Sequence, residues 1–281
     1  MRIAVVAMLL FGAGASASAD ELERIHSDFR KALINLSERI DAQRQSELPL
    51  PAAAAATPGS ARVLVVGFTG GLIPYAHTGT GVAMLTHRIN GMGDAGVAAL
   101  LFGRNEWRRA AAEVLKLAHA STSSPGRLQQ PLIVAFGHSL GANAMGEFAH
   151  LLGESGLEVS LAVYIDAFSA EKPSVPANVA YAINFYQRAG MLTRIQVRGQ
   201  SGLVASAPAR TTLLGSYCLK PRDKPPKTRP QPWRRVFMEP HYLLPYDARV
   251  QGYVCEAVRI LLRLSAEGAA DGARAAETGA R

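Results

Sequence analysis

The sequence predicts an α/β fold with a mostly parallel sheet and helices on both of its faces. Short apolar, β-branched runs alternate along the chain with helical patterns. These runs are continuously apolar rather than alternating with polar residues, which is typical of parallel strands buried on both faces. With 281 residues, of which 48% are hydrophobic, the chain is long enough for one domain with a sizeable core plus extensions.

The N-terminal residues 1–19 have the pattern of a secretory signal peptide. Arg2 is followed by an apolar stretch, and Ala17-Ser18-Ala19 is an A-x-A-like cleavage site. The apolar stretch is far shorter than the roughly 20 residues that a membrane span needs. No other stretch of the sequence is apolar enough to cross a bilayer. We therefore expect a soluble exported protein, periplasmic or secreted, that begins near Asp20 and has no transmembrane segment.

Two further segments are predicted to precede the main domain, and one to follow it. Residues 20–46 place apolar side chains at helical spacing and predict an amphipathic helix. Residues 47–61 are a Pro/Ala-rich linker. The main domain spans 62–264, and 265–281 has no apolar face, which predicts a disordered tail.

Within the main domain the predicted elements alternate regularly. Strands are predicted over 63–68, 97–102, 132–136, 159–166 and 179–186, with a possible short one starting at Leu213 and Leu214. Helices are predicted over 79–90, 106–120, 142–152 and 247–264. Ligand sites in such sheets lie outside the carboxyl ends of the strands. Three polar or glycine-rich groups follow strand ends: the loop 67–71, Ser139 and Asp166. We expect them to share one rim of the sheet.

The turn after the third strand is a candidate nucleophile elbow. Gly137-His138-Ser139-Leu140-Gly141 fits G-x-S-x-G and lies between a strand and a helix, which is the context that the motif requires. The serine is expected in a strained backbone conformation with its hydroxyl exposed above the sheet. Gly137 and Gly141 are expected where strand and helix approach too closely for side chains. The alternative is a purely structural turn.

A serine hydroxyl needs a base to accept its proton, and the chain contains seven histidines. His241 lies in a proline-flanked loop just before the last predicted helix. This place gives the chain order Ser, Asp, His that is expected of hydrolases with a nucleophile elbow. His77, in the loop after the first strand, is the alternative. His138 adjoins the serine, and we expect its side chain to point away from the site.

The base needs an acid partner, and the developing oxyanion needs two backbone donors. Asp166, at the end of the fourth strand, is the predicted acid. Asp247 is expected to start the last helix instead, and Asp223 to be solvated. The Leu140 N–H directly follows the nucleophile. The second predicted donor is the Phe68 amide, with Thr69 as the alternative.

On these residues the chain resembles the α/β-hydrolase superfamily. A closer resemblance is to small bacterial exported α/β-hydrolase-like proteins of the serine esterase or lipase type, over about residues 62–264. The shared motifs are Gly67–Gly71, Asp166, Val175–Val179, Asn184–Gln187 and Phe237–His241. The resemblance implies the fold and a Ser139, Asp166, His241 triad, but no particular substrate. Two departures from the superfamily pattern are an acid one strand earlier than usual and Val66 where many members have histidine.

Composition argues against several other functions. The net charge of +8 is partly concentrated in the proline-rich stretch 220–235, a predicted solvated loop whose single aromatic, Trp233, offers no stacking array for nucleic acid. The loop 67–71 lacks a phosphate-binding G-x-x-x-x-G-K-[ST] pattern. Two cysteines without clustered histidines give no zinc signature, so we expect no metal or cofactor. The sequence leaves open whether Cys218 and Cys255 form a disulfide.

Two hypotheses of function follow. The first is an exported serine hydrolase that cleaves an ester, thioester or lipid-like acyl bond of a small-molecule substrate through an acyl-enzyme. The second is a non-catalytic envelope protein that uses the same scaffold for binding. Convergence of the Ser139, Asp166 and His241 side chains would favour the first. The sequence predicts no oligomeric state.

Overall fold

The computed structural model describes residues 61–70, 80–94, 96–123, 130–168, 172–188, 202–221 and 239–279. The predicted signal peptide and amphipathic helix, and the linker up to residue 60, lie outside these residues. So do His77, Asp223, Trp233 and most of the basic loop.

Eight strands and five α-helices are found in the described part of the chain. The strands are β1 (Val63–Thr69), β2 (Val97–Gly103), β3 (Leu132–His138), β4 (Val159–Ile165), β5 (Ser174–Val175), β6 (Val179–Tyr186), β7 (Val204–Ala205) and β8 (Thr212–Cys218). The helices are α1 (Gly81–Asn90), α2 (Trp107–Ser123), α3 (Leu140–Glu154), α4 (Glu239–Leu243) and α5 (Ala248–Gly279), with a 3₁₀ turn at Leu244–Tyr246.

Six strands form one parallel sheet in the order β2-β1-β3-β4-β6-β8. This confirms the predicted fold class, a parallel sheet with helices on both of its faces. The short strands β5 and β7 pair with each other in a separate two-stranded sheet, which the sequence did not predict.

The core lies on both faces of the large sheet because its central strands are buried along their length. Every residue of β1, β4 and β6 is buried. In β1, Val63 and Val65 face a cluster completed by α1 and α5, whereas Leu64 and Val66 face a cluster completed by α2 and α3. Alternate side chains of a strand point to opposite faces, so this division follows directly from the pleat.

Two boundaries differ from the sequence prediction. The strand expected near Leu213 and Leu214 is the seven-residue edge strand β8, which also contains threonine, glycine and serine and so lacks a continuous apolar run. The last helix was predicted to end at Leu264 before a disordered tail, but helical backbone continues to Gly279. The tail is rich in Ala, the residue of highest helix propensity, which needs no apolar face to favour a helix.

No helix in the described part of the chain is both long and apolar enough to span a membrane.

Candidate active site

Ser139 lies at the sharp turn between β3 and α3. Its backbone has φ of 57° and ψ of −126°, a conformation that non-glycine residues rarely adopt. Three backbone hydrogen bonds hold it. The Ser139 N–H donates to the Ile165 oxygen at 3.0 Å, and the Ser139 oxygen accepts from the Ala142 N–H at 3.0 Å and from the Phe168 N–H at 3.3 Å. A serine at a helix start usually caps the helix with its hydroxyl. Ser139 makes no such bond, so its hydroxyl is not consumed by a structural role in α3.

Close backbone approach explains the glycines around this turn. A Cβ atom on Gly137 would lie 2.5 Å from the Gly141 oxygen, and one on Gly141 would overlap the Phe68 oxygen. Gly70, just after β1, is equally confined, since its Cβ would overlap the His138 oxygen and lie 2.7 Å from Ser139 Cβ. These three glycines let β1, β3 and α3 converge beside the serine, as the elbow motif predicts.

Asp166 lies beside Ser139 on the same rim of the sheet. β4 ends at Ile165, which is in register with His138 on β3, so each of the two candidate residues directly follows a paired strand end. Asp166 also has a positive φ, 44°, and its N–H donates to the Phe185 oxygen at 2.7 Å. Its side chain is fully buried. The carboxylate is therefore held in a fixed place inside the protein.

His241 completes a buried pair with Asp166. Its Nδ1 lies 2.9 Å from Asp166 Oδ2, and both side chains are at most 1% exposed. An ionised carboxylate only accepts hydrogen bonds, so Nδ1–H is the donor and Nε2 is the basic nitrogen of the neutral ring. His241 lies in the short helix α4 rather than in the predicted loop. Pro240 fits there because the first turn of a helix needs no N–H from it.

Two of the three predicted catalytic side chains are thus directly hydrogen-bonded. Among the residues that the structure describes, no hydrogen bond joins the Ser139 hydroxyl to His241. Hydrogen bonds between a nucleophile and its base are often long without substrate and shorten when the substrate binds.

His138 does not point away from the site, so that expectation was wrong. Its Nε2–H donates to the carbonyl oxygen of His241 at 2.9 Å, and the two imidazole rings are 4.6 Å apart between centroids. The reason is that α4 passes over the end of β3, where the last side chain of the strand meets it. Burial, followed by the electrostatic interaction with His241, lowers the pKa of His138 well below 6.5, although its hydrogen bond opposes the shift.

Gln187 makes a second contact with the site, which the sequence motif Asn184–Gln187 did not predict. It directly follows β6, the strand next to β4, and its Nε2 donates to Asp166 Oδ2 at 3.0 Å. Its backbone N–H lies 3.4 Å from Asp166 Oδ1. A signal was present, because Gln187 is a polar residue at the carboxyl end of a predicted strand. Asn178, from the same stretch of sequence, instead donates to the Ala149 and Leu157 oxygens and has a structural role.

The predicted oxyanion donors lie on either side of the elbow. Leu140 is the first residue of α3, directly after the nucleophile. Phe68 lies within β1, as the predicted strand 63–68 has it, in register with Phe102 on one side and Gly137 on the other. Thr69 is the last residue of that strand, next to Gly70, which lies against Ser139.

The other candidates in the described part of the chain lie outside this cluster. Asp247 precedes α5, where its Oδ1 accepts from the Arg249 N–H at 3.0 Å and its Oδ2 pairs with the Arg249 guanidinium at 2.7 Å. This agrees with its predicted place at the helix start. His87, His119 and His150 are exposed on helices.

Both cysteines are free thiols, and burial raises the pKa of each. Cys218 ends β8 and Cys255 lies within α5. No group of three or more His, Cys, Asp or Glu residues that could hold a metal ion occurs within the described ranges.

The solved structures that are similar to this chain share little sequence identity with it. A cutinase-like protein from Cryptococcus sp. is 14% identical, with a TM-score of 0.36, over 73% of this chain and 98% of that one. A metagenomic carboxyl esterase is 15% identical, with a TM-score of 0.39, over 76% and 79%. The thioesterase RedJ of Streptomyces coelicolor is 13% identical, with a TM-score of 0.36, over 76% and 99%. No protein-family model and no curated protein matches the chain.

Proposed function

We propose that this protein is an exported serine hydrolase with Ser139 as nucleophile, His241 as general base and Asp166 as the acid that orients the base. The observation that supports this most strongly is the buried His241–Asp166 hydrogen bond of 2.9 Å, on the strand-end rim that also carries Ser139. A buried carboxylate is expensive to keep ionised without partners. Asp166 pairs with a histidine and lies at the strand end next to that of Ser139, whose backbone is strained and whose hydroxyl makes no helix-capping bond. Acyl transfer by a serine uses these groups together.

The reaction proceeds through an acyl-enzyme. His241 Nε2 takes the hydroxyl proton as Ser139 Oγ attacks the substrate carbonyl carbon, and the imidazolium then gives that proton to the departing alcohol or thiol. A water molecule, deprotonated by the same nitrogen, releases the acid and restores the serine. The Leu140 amide and an amide at the end of β1, that of Phe68 or Thr69, stabilise the oxyanion.

The proposed substrate is a small molecule with an ester, thioester or lipid-like acyl bond, encountered outside the cytoplasm. Export is proposed from the signal-peptide pattern of residues 1–19. An uncharged acyl group needs no ion or cofactor for this chemistry, because the nucleophile, base and oxyanion donors all come from the chain.

A panel of p-nitrophenyl esters and acyl thioesters of increasing chain length tests the proposal, with wild type compared with Ser139→Ala. We expect turnover of at least one chain length by wild type and its loss in the variant, with an unchanged far-UV circular dichroism spectrum. Equal turnover by both proteins would exclude Ser139 as nucleophile.

The second candidate function is a non-catalytic binding protein on the same scaffold. One observation favours it: within the described residues, Ser139 and His241 are not hydrogen-bonded to each other. Wild-type protein that binds acyl esters without turning over any of them would support this candidate over the hydrolase.

A further inference from the structure

We propose that Gln187 is a positioning residue that holds the Asp166 carboxylate in the orientation in which it receives His241. This role rests on the proposed function, since it concerns the acid of that site. The Gln187 side chain bonds the Asp166 carboxylate. It acts through Asp166.

The contacts around Asp166 support this role. Asp166 Oδ2 accepts two hydrogen bonds, one from His241 Nδ1 at 2.9 Å and one from Gln187 Nε2 at 3.0 Å. Two donors on one oxygen fix both the rotation of the carboxylate and the direction from which His241 approaches. The Gln187 backbone N–H lies near the other oxygen, at 3.4 Å.

The chemical nature of Gln187 suits this place. The side chains of Gln187 and Asp166 are both fully buried. A lysine or arginine at position 187 would therefore lie next to the carboxylate without screening by water, and its charge would offset the negative charge that must stabilise the imidazolium. A neutral amide donates a hydrogen bond and leaves the negative charge in place. The sheet fixes its position, since β6 pairs with β4 and Gln187 and Asp166 each directly follow one of these strands.

Two variants distinguish the effect of the Gln187 hydrogen-bond donor from the effect of its side-chain volume. Gln187→Leu keeps most of the volume and removes the donor. We expect kcat/KM to fall about tenfold to a hundredfold, the factor that a hydrogen bond to a charged group is worth. The loss should lie mainly in kcat, because the donor that is removed bonds the acid of the proposed triad.

In the Gln187→Glu variant, we expect the loss of kcat/KM to depend on pH. A buried carboxyl beside Asp166 holds its proton to unusually high pH, because two adjacent carboxylates cannot both ionise easily. While protonated, its O–H replaces the amide donor, and once ionised it repels Asp166. The ratio of variant to wild-type kcat/KM should therefore fall as pH rises from 6 to 9 in Gln187→Glu, and stay constant with pH in Gln187→Leu.

Gln251→Leu is the matched control. Gln251 is also a buried glutamine, but its Nε2 donates to the Pro245 oxygen at 3.1 Å, away from the Asp166–His241 pair. This variant should lower the melting temperature and leave the pH profile of kcat/KM unchanged. Gln187→Leu with wild-type kcat/KM, or Gln187→Glu with a ratio that does not change with pH, would overturn the proposal.

A measurement that needs no substrate tests the role of Gln187 independently of the proposed hydrolase activity. The Nδ1 proton of His241, bonded to Asp166, should give a low-field proton NMR signal, assigned by its absence in His241→Gln. We expect Gln187→Leu to shift or broaden that signal and Gln251→Leu to leave it in place. If wild type turns over no ester but the signal responds in this way, the positioning role stands and the proposed function fails. An unchanged signal in Gln187→Leu would refute the role whatever the activity.

Discussion

His138 donates a 2.9 Å hydrogen bond from Nε2 to the backbone oxygen of His241, and its ring lies 4.6 Å from that of His241 between centroids. The residue before the nucleophile is thereby tied to the candidate base. The contact connects the end of β3 to the helix α4, which lies outside the sheet.

The burial of His138 predicts a specific loss of stability in acid. Its pKa is lowered in the folded state, so between that value and about 6.5 the unfolded chain binds a proton that the folded chain does not. Stability therefore falls as pH drops below 6.5, by up to about 1.4 kcal/mol per pH unit from this group. His138→Gln keeps a donor near the same position without the titration. Denaturant unfolding at several pH values between 5 and 7 should give a shallower dependence in this variant.

His87→Gln serves as the control for that experiment, because His87 is exposed on α1. We expect its pH dependence of unfolding to match wild type. A slope as steep in His138→Gln as in wild type would assign the acid sensitivity to another group.

The elbow glycines predict opposite effects for the same substitution at two places in α3. Gly141→Ala would force a methyl group into the Phe68 oxygen, so β1 and α3 must separate, and we expect little or no soluble folded protein. Gly146→Ala adds a methyl group that meets no heavy atom within 4 Å outside the backbone of its own helix, and it should stabilise the protein by about 0.5–1 kcal/mol. Melting temperatures of the two variants check this. A Gly141→Ala protein as stable as wild type would contradict the close approach.

The acid assignment predicts different outcomes for two buried aspartates. Asp166→Asn should keep the fold and lose roughly 10⁴-fold in kcat, because the amide favours the wrong imidazole tautomer and does not stabilise the imidazolium. Asp247→Asn weakens the pair with Arg249 and should lower the melting temperature while altering kcat only slightly. The paired kcat measurement decides between them. If Asp247→Asn is the more damaging to kcat, the acid of the site has been misassigned.

The sequence predicted the parts of this site that follow from strand ends. Ser139 and Asp166 directly follow apolar strands, and parallel strands bring their carboxyl ends to one rim, so adjacency was predictable without coordinates. His241 was predicted from its order in the chain. Its pairing with Asp166 agrees with that order.

The remaining contacts depend on side-chain direction and tertiary packing, which periodicity does not encode. His138 follows an apolar strand and gave no sign that α4 would pass over it. Gln187 was identified as part of a motif, but its bond to Asp166 depends on the pairing of β6 with β4. The edge strand β8 was difficult to recognise because its residues are half-buried or exposed and so need not be apolar.

Covalent labelling tests the central claim most directly. The mature protein is incubated with a fluorophosphonate probe, digested and mapped by mass spectrometry. We expect one adduct per chain on the peptide containing Ser139, a much slower reaction in His241→Gln, and none in Ser139→Ala. Absence of an adduct in folded wild-type protein, or full labelling of Ser139→Ala, would contradict the assignment of Ser139 as the nucleophile of a serine hydrolase.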